Sequence, residues 1–249
     1  MKEENQLKIF NDADDLSKAV GNFIIDLAKK SIAEKDKFSI VLSGGKTPEK
    51  LFSLLASSEY KHQIDWHKTF VFFGDERCVP LYDERNNAFV AKTLLLDKIE
   101  IPDSNIFRIP VDLSPKDAAK HYEKTIKDFF KDEEPKFDLI LLGLGENGHT
   151  ASLFPMTSVI HEEYSLVKEV FIEEFQMFRI TMTAPLINQA KNILFLLTGI
   201  GKASVLEIVL NGKHEPDNFP AQLISPTDGQ IFWYMDKEAA IFINKKTET

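Results

Sequence analysis

The stretch Phe137-Asp-Leu-Ile-Leu-Leu-Gly-Leu-Gly-Glu-Asn-Gly-His-Thr-Ala-Ser-Leu-Phe-Pro155 decides how this chain reads. Apolar residues Leu139 to Leu142 run into a glycine-rich turn, Gly143 to Gly148, that ends on His149. An apolar run without alternation is the pattern of a strand covered on both faces, as in a parallel sheet. The glycines let the backbone turn sharply and approach a ligand closely. His149 adds an imidazole, the side chain that exchanges protons near neutral pH. A buried strand thus delivers a flexible loop and a titratable ring to one point.

Working outward, similar runs occur at Phe38 to Leu42, Thr69 to Phe73, Asn192 to Leu197 and Gln230 to Met235. Between them Leu16, Ala19, Val20, Phe23, Ile24, Leu27 and Ala28 recur at helical spacing, as do Ala118, Ala119, Tyr122, Ile126 and Phe129. Strands alternating with helices predict βαβ units: an α/β, Rossmann-like, mostly parallel sheet with helices on both faces. The acidic region from Thr157 to Phe178 reads as irregular, with short strands or an excursion. Asp132-Glu-Glu-Pro-Lys136 is a charged break only a loop long. A single domain over residues 1–249 is expected.

The net charge is −9, which disfavours nonspecific nucleic-acid binding and means that an anionic ligand needs a local positive patch. The one cysteine, Cys78, excludes an intrachain disulfide and a cysteine-rich metal site. It reads as a packed small residue rather than a nucleophile. The polar start, Met1 to Gln6, has no apolar signal core, and no apolar run is long enough to span a bilayer. A soluble, cytoplasmic protein is expected.

Four segments follow expected strands: Ser43-Gly-Gly-Lys-Thr-Pro48, Gly74-Asp-Glu-Arg77, Gly143 to His149, and Gly199-Ile-Gly-Lys202. Ligands of open parallel sheets bind outside the carboxyl ends of the strands, so these segments converge on one site. In the first, Gly44 and Gly45 open the backbone, Ser43 and Lys46 flank them, Thr47 suits an N-cap and Pro48 the first helical turn. The following helix then points its positive end at an anion. The plain alternative is an ordinary strand-to-helix turn. A Walker A loop is rejected because Ile40 stands where its first glycine belongs. Gly143-Leu-Gly-Glu-Asn-Gly148 formally matches the dinucleotide fingerprint, but Pro155 comes too soon for the long helix that motif opens. His149 is read as catalytic rather than as a surface histidine. Asp75, Glu76 and Arg77 are read as an anion-binding cation with carboxylates that orient it or a substrate hydroxyl, against a surface ion-pair cluster. Lys202 and Arg179 are further cation candidates.

Together these residues resemble the 6-phosphogluconolactonase family. The likeness rests on Leu-Ser-Gly-Gly-Lys-Thr-Pro48, Gly-Asp-Glu-Arg-Cys-Val-Pro80, the block from Gly143 to Pro155, Arg179-Ile-Thr-Met-Thr and Gly201-Lys-Ala203. It extends to Phe219-Pro-Ala-Gln222, to Trp233-Tyr-Met-Asp236 through Ala239-Ala240, and to Trp66 and Asn87. The resemblance implies a fold related to sugar-phosphate isomerases and deaminases. It implies hydrolysis of 6-phosphoglucono-δ-lactone to 6-phosphogluconate in the oxidative pentose phosphate pathway, with no metal and no organic cofactor. The expected partner is the phosphosugar lactone, with no nucleic acid and no membrane, in a monomer or homodimer.

Three departures from the family pattern stand out. Position 46 is Lys46 where serine or threonine is usual, and position 147 is Asn147 where aspartate is usual. Glu173-Glu-Phe-Gln-Met-Phe178 replaces a proline-rich segment. The deaminase relatives carry a glutamate where this chain has Leu153-Phe154-Pro155, which favours the lactonase over a deaminase. A non-catalytic sugar-phosphate sensor is the other alternative. The expected mechanism puts the phosphate against Ser43 to Thr47 with Arg77, Arg179 and Lys202. His149 is the general base, Asp75 orients water, the histidine or a sugar hydroxyl, and backbone N–H groups of Gly143, Gly145 and Gly148 receive the oxyanion.

Overall fold

The computed structural model describes residues 6–131 and 133–243. The amino-terminal Met1 to Asn5 and Asp132 at the head of the charged break lie outside the described residues. The chain opens with β1 (Gln6–Phe10), α1 (Ala13–Lys35), β2 (Phe38–Leu42), α2 (Lys46–Leu55), β3 (Thr69–Phe73) and β4 (Asp75–Arg77). It continues through α3 (Asn87–Leu94), α4 (Pro115–Phe130), β5 (Leu139–Leu142), β6 (Val167–Ile172) and β7 (Met177–Met182). It closes with α5 (Ala184–Ile187), β8 (Asn192–Leu197), α6 (Ala203–Asn211) and β9 (Gln230–Asp236).

The main sheet runs β1-β9-β8-β5-β2-β3, and every neighbouring pair is parallel. From β2 the chain moves outward to β3, then returns to add β5 on the other side of β2. The reversal falls between β2 and β5, where an open α/β sheet leaves its ligand crevice. Every residue of β2 and β5 is buried, which is why β5 reads as an unbroken apolar run and β2 as one broken only by Ser39. Asp138 pins the start of β5: it accepts from Ser39 N–H at 2.8 Å and Ser39 Oγ at 2.9 Å, and Lys35 Nζ lies 2.7 Å from it.

Helix α1 starts on Asp12, whose side chain accepts from the N–H groups of Asp14 and Asp15. It buries Leu16, Val20, Ile24 and Ala28, one face at helical spacing. Many of the phenylalanines do fill the core: Phe72 stacks on Phe107 and meets Phe129 and Phe137 edge-on. Tyr122 of α4 fixes the end of β3, accepting from Phe73 N–H at 2.8 Å and donating to Phe73 O at 3.1 Å. No helix among the described residues is long and apolar enough to cross a membrane.

The structure departs from the sequence-based expectation at Gly74 to Arg77, at Thr47 and at β1. Gly74 to Arg77 is not a loop: Asp75 to Arg77 form β4, the edge of a second, antiparallel sheet ordered β4-β7-β6. Gly74 joins the two sheets, donating its N–H to Leu42 O at 3.0 Å and accepting from Met182 N–H at 2.8 Å. The region from Thr157 to Phe178 is the expected irregular stretch with short strands: two 3-10 turns, Ser158–His161 and Glu173–Phe175, flank the strand β6 that pairs with β7. Thr47 is not the cap of α2: Gly45 holds that position and makes no side-chain bond. Strand β1 was not expected either; its exposed, edge-on residues lack the apolar run of the central strands.

Candidate active site at the sheet switch point

Strand β5 ends where the glycine turn begins, beside the loop that follows β2. The turn closes on itself: Gly145 N–H donates to His149 O at 2.8 Å, and Gly148 N–H to Gly145 O at 3.0 Å. A β-carbon on Gly145 would overlap the His149 imidazole, so the ring can lie over this residue only because it is glycine. Thr150 Oγ1 donates to Gly143 O at 2.8 Å and ties the far end of the turn back to its start.

Asn147 fixes the imidazole. Its Oδ1 lies 2.6 Å from His149 Nδ1 and also accepts the His149 backbone N–H at 3.2 Å. A backbone N–H can only donate, so the nearby atom of Asn147 is its oxygen. An oxygen at that place requires the proton on Nδ1, which leaves Nε2 as the basic nitrogen. On one side the ring stacks on Phe154, with centroids 4.0 Å apart and planes 13° apart. Burial pushes the His149 pKa down to about 4, Asp75 opposes that shift, and Arg179, Lys202 and Arg77 add to it. The imidazole is neutral at pH 7.

The second sheet supplies the cations. In the β4–β7 register Arg77 stands directly opposite Arg179, and Asp75 opposite Thr181. Directly opposed residues share a face, and like charges there repel. Nε of each arginine is buried without a partner among the described residues. Arg77 donates through Nη1 to Arg85 O at 2.6 Å. Arg179 is buried, and its Nη1 lies 3.9 Å from Asp75 Oδ2, outside hydrogen-bond distance. A buried and a half-buried guanidinium, each with a spare Nε donor, on one face make a place for an anion.

Asp75 is the joint between the two parts. Its Oδ2 accepts from Ser152 Oγ at 2.6 Å and its Oδ1 from Asn87 Nδ2 at 3.2 Å. Asn87 in turn packs onto Gly44 so closely that a β-carbon there would overlap its side-chain amide. Glu76 points the other way, as period two demands. It accepts the N–H groups of Arg77, Asn87 and Ala88 at 2.8, 2.7 and 2.9 Å and so holds the start of α3. Burial raises its pKa to about 7, against the pull of those three donors. The expectation that Glu76 orients a ligand is therefore corrected. Cys78 is half-buried, with its thiol pushed up to about 11 by burial and by Glu76, as suits a packed residue.

The remaining loops meet the same crevice. Thr47 Oγ1 and Thr198 Oγ1 share a hydrogen bond at 2.7 Å, tying α2 to the end of β8. Asp236 accepts the Gly199 N–H at 3.0 Å, and the Glu146 carboxylate lies against Gly201. Lys202 sits at the head of α6 with no carboxylate partner among the described residues. Ser43 stays beside Gly143, its Oγ turned to Gly44 O at 3.3 Å. Lys46 differs: its ammonium is exposed and pairs with Glu49 at 3.3 Å, away from His149. Gly145 and Gly148 spend their N–H groups inside the turn, so neither is free for an oxyanion. Among the described residues no group of three or more His, Cys, Asp or Glu is placed to hold a metal ion.

The sequence reading missed Ser152 and Phe154 as parts of the site, although both lie in the quoted block, because neither ionises. It also missed Phe175, which no local pattern distinguishes.

A doubly wound sheet whose switch point gathers a neutral histidine, two facing arginines and a buried aspartate defines an α/β protein with a candidate anion site. A family model described as glucosamine-6-phosphate isomerases/6-phosphogluconolactonase matches residues 11–233. A 6-phosphogluconolactonase of Synechocystis sp. is 39% identical over 214 residues, covering 84% of this chain and 86% of its own. A probable 6-phosphogluconolactonase 1 of Arabidopsis thaliana is 32% identical over 253 residues, covering 96% of this chain and 93% of its own. The solved 6-phosphogluconolactonase from Trypanosoma cruzi superposes with a TM-score of 0.85 at 27% identity, over 98% of each chain. A monomeric glucosamine-6-phosphate deaminase superposes with a TM-score of 0.81 at 22% identity, over 95% of this chain and 99% of its own, a likeness of fold alone. The chain belongs to the glucosamine-6-phosphate isomerase/6-phosphogluconolactonase family, among its 6-phosphogluconolactonases.

Proposed function

We propose that this chain hydrolyses 6-phospho-D-glucono-1,5-lactone to 6-phospho-D-gluconate, with His149 as general base. The observation that carries this reading is an imidazole held at Nδ1 by Asn147 Oδ1 beside two arginines that face each other, each with a spare buried Nε donor. Nε2 takes a proton from water as the water oxygen attacks the lactone carbonyl. The tetrahedral oxyanion then collapses, the bond from carbonyl carbon to ring oxygen breaks, and the imidazolium returns its proton to that oxygen. Backbone N–H groups of Glu146 and Asn147 at the tip of the turn are the oxyanion donors in this scheme, in place of Gly145 and Gly148. Arg77, Arg179 and Lys202 take the 6-phosphate, with Ser43, Gly44 and Gly45 behind them. Asp75 is a positioning residue: its carboxylate has protein partners on both oxygens.

A dianionic phosphate would offset the cations that depress His149, so substrate binding raises the basicity of the residue that must accept the proton. The deaminase reading lacks an acid beyond the histidine; the aromatic face of Phe154 lies against the ring. The deciding experiment follows lactone loss against its spontaneous rate, with ammonia release from glucosamine-6-phosphate measured in parallel. Loss at the spontaneous rate would remove the lactonase reading, and ammonia release would replace it with the deaminase.

A further inference from the structure

Arg179 is buried, yet no carboxylate holds it at hydrogen-bond distance and its Nε has no partner among the described residues. Something else must fix a side chain with that many rotamers. The guanidinium carbon lies 5.1 Å from the ring centroid of Phe154 and 5.1 Å from that of Phe175. The two rings meet edge to face, 6.1 Å apart at 76°. Aromatic rings attract the cation through their π-faces, while carboxylates consume its N–H donors. A guanidinium held by rings keeps its in-plane donors for an incoming oxyanion. Phe154 also stacks on His149, so one ring touches both the base and the cation.

Phe175 belongs to the short 3-10 turn Glu173–Phe175 that joins β6 to β7. It is 46% exposed, so burial in the core does not account for where its ring lies. It also lies in the segment that departs from the family's proline-rich pattern. Surface packing alone does not explain a ring set against a buried cation.

We propose that Phe175 is a positioning residue which, with Phe154, clamps Arg179 in its phosphate-binding pose and so sets the preference for phosphorylated over unphosphorylated lactone. The proposal rests on the reading of Arg179 as a phosphate ligand, and the experiment separates the two. Phe175→Leu keeps an apolar side chain but removes the π-face; its exposure makes the change tolerable to the fold, which the melting temperature checks. KM and kcat are measured on 6-phosphogluconolactone and on unphosphorylated glucono-1,5-lactone for the wild type, Phe175→Leu, Phe175→Tyr, Arg179→Ala and the Phe175→Leu/Arg179→Ala double variant.

The expected result is a rise of about 2- to 30-fold in KM for the phosphorylated lactone in Phe175→Leu. Its kcat, and its kcat/KM on the unphosphorylated lactone, should stay unchanged. Phe175→Tyr should restore the wild-type KM, and Phe175→Leu should add nothing once Arg179 is alanine. If Arg179→Ala leaves the preference for phosphate intact, the role of Arg179 itself fails. If Arg179→Ala removes the preference while Phe175→Leu leaves KM unmoved, or moves it equally in both backgrounds, the clamp is wrong.

Discussion

The main parallel sheet and the small antiparallel sheet each bring one half of the site, by different means. The parallel sheet presents His149 at the end of a turn whose backbone bonds to itself, so the ring's place is set by main-chain geometry and by Asn147. The small sheet presents Arg77 and Arg179 by strand register, so their place is set by pairing across β4 and β7. A turn can aim a single reactive atom. A strand pair can force two like charges onto one face, which a turn of flexible cations would avoid. The proposed base and the proposed anion site are thus separable in construction and joined through Asp75, Ser152 and Phe154.

That separation can be broken hardest at the base. His149→Ala should lower kcat by about 10²–10⁴-fold on the phosphorylated lactone, with substrate affinity largely kept. Turnover close to wild type in this variant would falsify the assignment of the base to the parallel sheet. Arg179→Ala tests the other half. Losing charge-assisted bonds worth about 1.5–3 kcal/mol should cut kcat/KM on the phosphorylated lactone by about 10- to 100-fold. The unphosphorylated lactone should be spared; an equal loss on both would mean that Arg179 shapes the site generally instead of binding phosphate.

The same contrast explains what the sequence reveals. Strands β2, β5 and β8 are buried on both faces and therefore spell largely apolar runs without alternation, from which the sheet, its carboxyl edge and His149 follow. The small sheet hides its nature because its edge strand is made of charged residues: β4 is Asp75-Glu76-Arg77, which no propensity marks as a strand. Its register decides which carboxylate faces the site. Only pairing shows that Asp75 shares a face with Arg77 while Glu76 turns to α3. Lys46 illustrates the opposite error: adjacent to Gly45 in sequence, it starts a helix that carries its side chain out to Glu49. The contacts of Phe154 and Phe175 with Arg179 join segments distant in sequence, and apolar side chains announce no chemistry of their own.

Asn147 lets the base be tuned without touching the small sheet. Asn147→Asp would place a carboxylate beside Nδ1, and an opposite charge at that range favours the imidazolium. The His149 pKa should therefore rise from about 4, moving the acid limb of the kcat/KM profile upward by about 1–3 pH units. The plateau at higher pH should change little, because the imidazole is neutral there in both forms. A profile that stays put would show that the imidazole does not titrate against position 147, and the tautomer assigned through Asn147 would have to be abandoned.

The smallest effect on turnover is expected at the joint itself. Ser152 is fully buried, and its hydroxyl gives Asp75 Oδ2 its one short hydrogen bond. Ser152→Ala leaves that oxygen with only Arg179 at 3.9 Å, while the turn that holds His149 keeps its own bonds. Stability should fall by about 1.5–3 kcal/mol, the range for a buried bond to a charged group, which lowers the melting temperature by several degrees. kcat should stay within about twofold, because neither Nε2 nor the guanidiniums lose a direct partner. A large fall in kcat with unchanged stability would instead make Ser152 part of the chemistry. The two sheets would then be one catalytic unit, and the division between a turn-built base and a strand-built anion site would not hold.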